Sequence, residues 1–251
     1  MTSLLELAGI TVKFGGVTAV DNVSLSVRDG DLIGFIGPNG AGKTTLMRVI
    51  MGIVQPQQGS VSLAGQNLAG WPVEARVRAG LALSQQIVKP LRGFSLIENV
   101  TLACGKALTA SPLAALGHVS RKRQRERAAE LLARVGITAY AATSPREVPL
   151  GILKRLEVAR ALALTPKVLL LDEPLAGLNQ KEAAALADLI KQLAADGQTI
   201  VLIEHNLREV MRICPLLYVQ NNGAPLAFGP AQDVMSDQRV RRAYLGAQAD
   251  A

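Results

Sequence analysis

Apolar residues in the first part of the chain come in short runs separated by turn residues. Leu4–Leu7, Ile10–Phe14, Val23–Val27 and Leu32–Ile36 are four such runs, with Gly15-Gly16 and Asp29-Gly30 as turns. Runs of this length bounded by Gly and Asp predict strands, and the tight turns make the early ones antiparallel. After residue 37 the pattern turns helical, with Leu46, Val49 and Ile50 apolar and an end near Gly52. Residues 100–165 are rich in Ala, Leu, Arg and Lys and predict mostly helix. Further on, Val168–Leu171 and Thr199–Ile203 are wholly apolar strands, and helices are predicted at Ala183–Ala195 and Leu207–Ile213. Buried strands alternating with helices predict an α/β fold around a mostly parallel sheet. The early antiparallel strands and the helical middle are two lobes added to that sheet. There is no internal repeat and no low-complexity linker.

Composition narrows the class. With 251 residues, 49% hydrophobic and 19% charged, the chain can bury a sizeable core and is not disordered. No apolar run reaches the roughly 18–20 residues that cross a bilayer. The opening MTSLLELAGI lacks the basic-then-apolar pattern of a secretory signal. Cys104 and Cys214 are far apart, which argues against a disulfide framework or a structural zinc site and points to a reducing cytoplasm. The net charge of +7 suits contact with phosphates, nucleic acid or an anionic membrane face, without choosing among them. Aromatics at 3% leave few stacking platforms for single strands. The densest basic run, Arg121-Lys122-Arg123-Gln124-Arg125-Glu126-Arg127, is either a solvated helix face or a contact for anionic headgroups.

Two motifs carry chemistry. Gly37-Pro38-Asn39-Gly40-Ala41-Gly42-Lys43-Thr44, followed by Thr45, satisfies G-x-x-x-x-G-K-[ST] between a strand and a helix. Its glycines let backbone N–H groups wrap a phosphate, and the helix N-terminus adds its positive end. Lys43 supplies a charge to the β- and γ-phosphates, and the Thr44 hydroxyl is placed to ligate Mg²⁺. This loop predicts a nucleoside-triphosphate site. The second motif, Leu169-Leu170-Leu171-Asp172-Glu173-Pro174, is a buried strand that delivers acids at its carboxyl end, the edge where open α/β sheets bind ligands. Asp172 is the second expected Mg²⁺ ligand. Glu173 is the expected base that polarises the attacking water.

With these motifs in place the whole chain resembles an ATP-binding subunit of ABC transporters. The resemblance implies ATP and Mg²⁺ as cofactors and one ABC ATPase domain over 1–251. In that domain a P-loop core and an antiparallel β lobe span 1–85 and 165–251, and a helical lobe spans about 86–164. It implies Phe14 and Val20 against adenine, and Gln86 touching Mg²⁺, the water and the channel subunits. Gly177, Leu178 and Asn179, after Ala176, match a loop crossing the dimer interface. His205 matches the switch histidine that braces the γ-phosphate. Ile97-Glu98-Asn99-Val100, Ala176–Asn179, Ile203–Asn206 and Arg242-Ala243-Tyr244-Leu245-Gly246 resemble the branched-chain amino-acid uptake class, and Gln86 with His205 fits the first of its two ATPases. Urea and amide importers and the ATPase of lipopolysaccharide export share these features. The implied partners are transmembrane channel subunits, a second ATPase subunit in a homo- or heterodimer and, indirectly, a substrate-binding protein. No nucleic acid is expected. The implied place is the cytoplasmic face of the membrane.

One segment departs from the family. Where Leu-Ser-Gly-Gly-Gln is usual, this chain has Val148-Pro149-Leu150-Gly151-Ile152, followed by Leu153-Lys154-Arg155. The serine hydroxyl and glutamine amide are missing, while Gly151 and the basic pair remain. The resemblance makes Pro149, Leu150, Gly151 and Ile152 the segment that acts on the partner's ATP, and one lost hydrogen bond to a charged group is worth roughly 1.5–3 kcal/mol. Asn179 replaces the usual aspartate, and the stretch Thr101–Tyr140 is short for this class. Two other classes compete. A soluble ABC ATPase acting on nucleic acid fits the charge, but only one phosphate loop and no sustained heptads are present. A nucleotide sensor without catalysis would lack Asp172, Glu173 or His205, and all three are here.

Overall fold

The computed structural model describes residues 3–84, 89–105 and 121–249. The chain opens with two long strands, β1 (Ser3–Phe14) and β2 (Val17–Arg28), paired antiparallel. The runs Leu4–Leu7 and Ile10–Phe14 are therefore one strand. Its register shifts between Leu7 and Ile10, where Gly9 takes a φ of 60°, and this bulge imitates a break in the pattern. With β4 (Gln58–Leu63) and β5 (Gln66–Asn67) they form a four-stranded sheet in the order β2-β1-β4-β5.

The second sheet holds the candidate chemistry. It runs β10-β9-β3-β8-β7-β6, comprising β3 (Leu32–Ile36), β6 (Leu81–Ser84), β7 (Val168–Asp172), β8 (Thr199–Ile203), β9 (Leu216–Asn221) and β10 (Ala224–Pro230). All of its pairs are parallel except β9–β10. Every residue of β3 and β8 is buried. That explains their unbroken apolar sequences, because both faces of this sheet are covered. One core lies between it and the antiparallel sheet, with α1 (Lys43–Ile50) packed in. The other lies under α3 (Leu96–Cys104), α4 (Lys122–Arg134), α5 (Leu150–Leu162), α6 (Gln180–Ala195) and α7 (Leu207–Ile213). A short α2 (Val73–Ala79), a 3₁₀ turn (Thr138–Tyr140), α8 (Ala231–Ser236) and α9 (Gln238–Ala249) complete the described elements.

Helix α6 starts three residues earlier than the apolar period predicts. Asn179 Oδ1 accepts the Glu182 N–H at 3.0 Å and Glu182 Oε2 accepts the Asn179 N–H at 3.2 Å. This reciprocal cap stabilises a polar first turn that periodicity cannot register. The basic run 121–127 lies at the start of α4. Its arginines are exposed while Ala128, Leu131 and Leu132 are buried, so the charges line the outer face of the helix. Among the described residues no helix is long and apolar enough to cross a membrane.

Candidate active site at the carboxyl edge of the parallel sheet

Register brings the motifs together. Phe35 of β3 and Asp172 of β7 both lie opposite Ile203 of the intervening β8. The residues that follow each strand, Gly37, Glu173 and His205, therefore emerge side by side at the carboxyl edge, as the topology of parallel α/β sheets requires. A cleft of about 250 Å³ is lined there by Ala19, Asn39–Thr45, Glu173 and His205. A wider groove of about 680 Å³, near Gly30 and Pro215 at the other end of the sheet, contains none of the motif residues.

The phosphate loop depends on its glycines at two points of contact. A Cβ on Gly37 would lie 2.0 Å from the Gln220 carbonyl oxygen, and one on Gly42 2.1 Å from that of Ala19. Gly42 also holds a φ of 97° as the residue preceding α1. The Lys43 Nζ donates to the Gly37 and Pro38 carbonyls at 2.7 and 2.9 Å, inside the loop. Burial pushes the Lys43 pKa down, and Glu173 and Asp172 pull it back up. The lysine thus presents its charge from a nearly dry position.

Asp172 ends β7 with its Oδ1 buried and without a hydrogen-bond partner among the described residues. Burial, then Glu173, raise its pKa; Arg48, a hydrogen bond from Thr44 and His205 oppose that. An unpartnered buried carboxylate oxygen beside a threonine hydroxyl is a donor set that suits Mg²⁺, which takes one or two protein oxygens and fills its shell with phosphate and water.

Glu173 is one of the few non-glycine residues at positive φ, 50°. Such a conformation costs on the order of 1 kcal/mol or more and persists only where surrounding contacts impose it. Here its N–H donates to the Ile203 carbonyl at 3.0 Å. Its Oε1 lies 2.8 Å from His205 Nε2.

Other expected positions are placed less uniformly. Phe14 is 53% exposed at the end of β1 and offers a free aromatic face. Val20 was expected beside adenine, but it is 0% exposed because β2 turns it into the core; the surface nearby belongs to Val17, 69% exposed. Gln86 lies outside the described residues. Pro149 immediately precedes α5 with no side-chain cap. Pro149, Leu150, Gly151 and Ile152 do not line the phosphate-loop cleft. Instead a Cβ on Gly177 would come within 3.0 Å of the Leu150 side chain, so this segment and the Gly177–Asn179 loop lie together. Asn179 also caps α6.

Several residues around the loop had no sequence signal. Gln220, 0% exposed on β9, donates to the Gly223 carbonyl at 3.1 Å and lies against Gly42. The Gly223 N–H in turn donates to Ala41. The Tyr244 hydroxyl of α9 lies near the Gly37 N–H, which opposes the burial that pushes its pKa up to about 12. The β9–β10 hairpin and α9 thus support the loop from below. Tyr244 stands in the Arg242–Gly246 segment that the family resemblance singles out, but only tertiary contact shows that it and the hairpin reach the phosphate loop.

Comparison with known proteins agrees with this geometry. The ABC transporter family model matches residues 20–176, and a model of the branched-chain amino acid ATP-binding cassette transporter matches residues 224–250. The chain is 39% identical to the high-affinity branched-chain amino acid transport ATP-binding protein LivG of Salmonella typhimurium, over 97% of this chain and 98% of that one. It is 34% identical to the lipopolysaccharide export system ATP-binding protein LptB of Acidithiobacillus ferridurans, over 99% of both. Among solved structures, the ADP conformation of an ATP-binding cassette of an ABC transporter superposes with a TM-score of 0.86 at 30% identity, covering 98% of this chain and 100% of that one. The chain belongs to the ABC transporter ATP-binding family, whose cassettes are ATPases that drive transport.

Proposed function

We propose that this chain is the ATP-hydrolysing subunit of a membrane importer for branched-chain or related hydrophobic amino acids. The observation that carries the hydrolytic part is the juxtaposition of Glu173 and His205 across the phosphate-loop cleft. The substrate class rests on the 39% identity to a branched-chain amino acid transport relative and on the match of residues 224–250. One ATPase domain spans 1–251 in this reading, with the core and β lobe in 1–85 and 165–251 and the helical lobe in 86–164.

In the proposed mechanism Gly37–Thr45 wrap the triphosphate and Lys43 neutralises its β- and γ-oxygens. Thr44 and Asp172 would hold Mg²⁺, which when bound offsets the charge on the phosphates. Glu173 accepts a hydrogen bond from the attacking water and takes its proton, and His205 fixes the carboxylate and reaches toward the γ-phosphate. Phosphoryl transfer of this kind depends on positioning and charge stabilisation. Because the Pro149–Ile152 segment stands away from this chain's own cleft, it serves the nucleotide of a second ATPase subunit. Transmembrane channel subunits complete the assembly at the cytoplasmic face. Replacing the serine hydroxyl by Pro149 leaves the Gly151 N–H as donor, so this contribution is weakened and not abolished.

The test is uptake of labelled leucine and hydrolysis of ATP by cells and membranes carrying wild-type or Glu173→Gln protein. Loss of both in the variant, with ATP binding kept, supports the reading. Normal leucine uptake without this chain, joined to a defect in lipopolysaccharide delivery, would favour the export role that the 34% identical relative suggests.

A further inference from the structure

Glu204 directly follows β8 and precedes His205, and it is 3% exposed. Its Oε1 accepts the Leu175 N–H at 2.6 Å and its Oε2 the His205 N–H at 3.2 Å. Leu175 belongs to the turn after Glu173, where the Ala176 N–H donates back to the Glu173 carbonyl at 3.2 Å. One carboxylate therefore ties the turn that carries Glu173 to the turn that carries His205.

Lys154 approaches the same spot from α5. It lies in the second turn of the helix that begins after Pro149 and is 4% exposed. Its ammonium donates to the main-chain carbonyl of Glu173 at 3.3 Å. Burial lowers its pKa; among the carboxylates that oppose this, Glu204 acts most strongly, ahead of Glu173, Glu157 and Asp172. A buried lysine and a buried glutamate are costly to desolvate, and apolar residues of the same volume would often stabilise the fold as well or better. Stability alone therefore gives no reason for a lysine and a glutamate to be buried on either side of the Glu173 turn.

We propose that Glu204 and Lys154 are positioning residues that hold the Glu173–His205 pair in register and couple α5 to it. The proposal rests on the assignment of Glu173 and His205 above, and it adds a route by which α5 acts on hydrolysis. A shift of α5 on engaging the partner's nucleotide moves the Lys154 ammonium, which is bonded to the main chain of Glu173. That residue already stands at a strained φ of 50°, so a small displacement re-aims its carboxylate. Both oxygens of Glu204 accept, and a glutamine amide offers one acceptor and turns an NH₂ toward a donor N–H. Glu204→Gln thus breaks one tie with little change of volume.

The experiment uses the transporter assembled with its membrane and partner subunits, at pH 8, with Mg-ATP. Glu204→Gln, Lys154→Met, the double variant and Lys154→Arg are compared with wild type for kcat, KM and Tm. Each single variant is expected to lower kcat about tenfold or more, as small misplacements of reacting groups do. KM should stay within about twofold. The double variant should fall no further than the poorer single one, and Lys154→Arg should keep most of the wild-type rate. Unchanged kcat in the single variants overturns the proposal. So does a loss of kcat that follows the folded fraction, or losses that multiply in the double variant. Abolition of the wild-type rate by Glu173→Gln is the control, because failure of that control would strike the catalytic assignment instead.

Discussion

His205 Nε2 lies 2.8 Å from Glu173 Oε1, although the two residues belong to different strands' ends. The pairing follows from β7 and β8 being parallel neighbours with Asp172 opposite Ile203, so that the chains leave the sheet at the same height. The carboxylate is largely shielded, at 16% exposed, and the imidazole is more open at 42%. Glu173 is thus the held member of the pair and His205 the one with a face toward the cleft.

Replacing Glu173 by Gln keeps the shape and removes the base. ATP binding is expected to remain within a few-fold of wild type, while steady-state hydrolysis falls at least about 100-fold, the scale of general-base catalysis. Titration with a fluorescent ATP analogue and a phosphate-release assay measure the two. Retained turnover would show that another group takes the proton.

Gly42 has no room for a side chain. A Cβ there meets the Ala19 carbonyl at 2.1 Å, and a φ of 97° is strained for any L side chain. Gly42→Ala is therefore expected to open the loop and weaken ATP binding by more than about tenfold, equivalent to ~1.4 kcal/mol. Binding at wild-type affinity would mean that β2 yields to the methyl group.

Pro149 precedes α5 without a side-chain cap. Pro149→Ser places an accepting hydroxyl at that helix N-terminus, worth about 1 kcal/mol as a cap, and restores the missing hydroxyl toward the partner's nucleotide. The assembled complex should hydrolyse ATP faster. An unchanged rate, with the variant folded, would remove the missing hydroxyl as a reason for weakened activity.

Arg76 is 2% exposed and has backbone carbonyls as its hydrogen-bond partners. Its guanidinium donates to Val49 and Ile50 at the end of α1, to Leu68 and to Trp71, at 2.8–3.2 Å. It satisfies the last carbonyls of the phosphate-loop helix and opposes the negative end of its dipole. Arg76→Met should destabilise the chain by about 3 kcal/mol, since buried carbonyls lose their donors. Urea denaturation measures this, and a midpoint within error of wild type would contradict it.

Glu204 predicts a pH dependence. Burial pushes its pKa from 4.5 up to about 7, against N–H donors from Leu175, His205 and Asn206. The folded chain therefore holds the proton more tightly than the unfolded one. Its contribution to stability is complete below about pH 4.5 and lost as pH rises through 7, on the order of 3 kcal/mol in all. Lys154, Glu173, His205 and Cys214 face the same site. Lys154, pushed down by burial, has the opposite dependence at higher pH. Between pH 5 and 8 the wild type should lose thermal stability relative to Glu204→Gln. Parallel curves for the two proteins would sink this assignment.

Much of the site is legible from local sequence. The phosphate loop must carry Gly37, Gly42, Lys43 and Thr44 in a fixed order because a backbone cradle is a local object. Asp172 and Glu173 stand out because an acid directly after apolar residues marks a strand end. The strands that escaped the apolar pattern are short or mixed: β4, β5, β6 and β9 carry polar residues such as Gln58, Gln66, Ser84 and Gln220, and β10 carries Pro225. Their strand state comes from neighbours already in the sheet, which local pattern does not encode. Val20 shows the same limit from the other side, since its place in the same strand as exposed Val17 did not reveal which way β2 turns it.

Sequence alone determined the triphosphate chemistry, because a phosphate loop is written in consecutive residues, and the α/β class, because buried strands and helices alternate along the chain; the altered Pro149–Ile152 segment was legible only against the family that the chain resembles. Tertiary structure decided the pairing of Glu173 with His205, the support of the phosphate loop by Gln220, Gly223 and Tyr244, and the placing of buried Lys154 and Glu204 on the turns that carry that pair. These depend on strand order and register, which place residues far apart in the chain within hydrogen-bond distance. That placement arises from the packing of the whole sheet and its helices, and no window of sequence contains it.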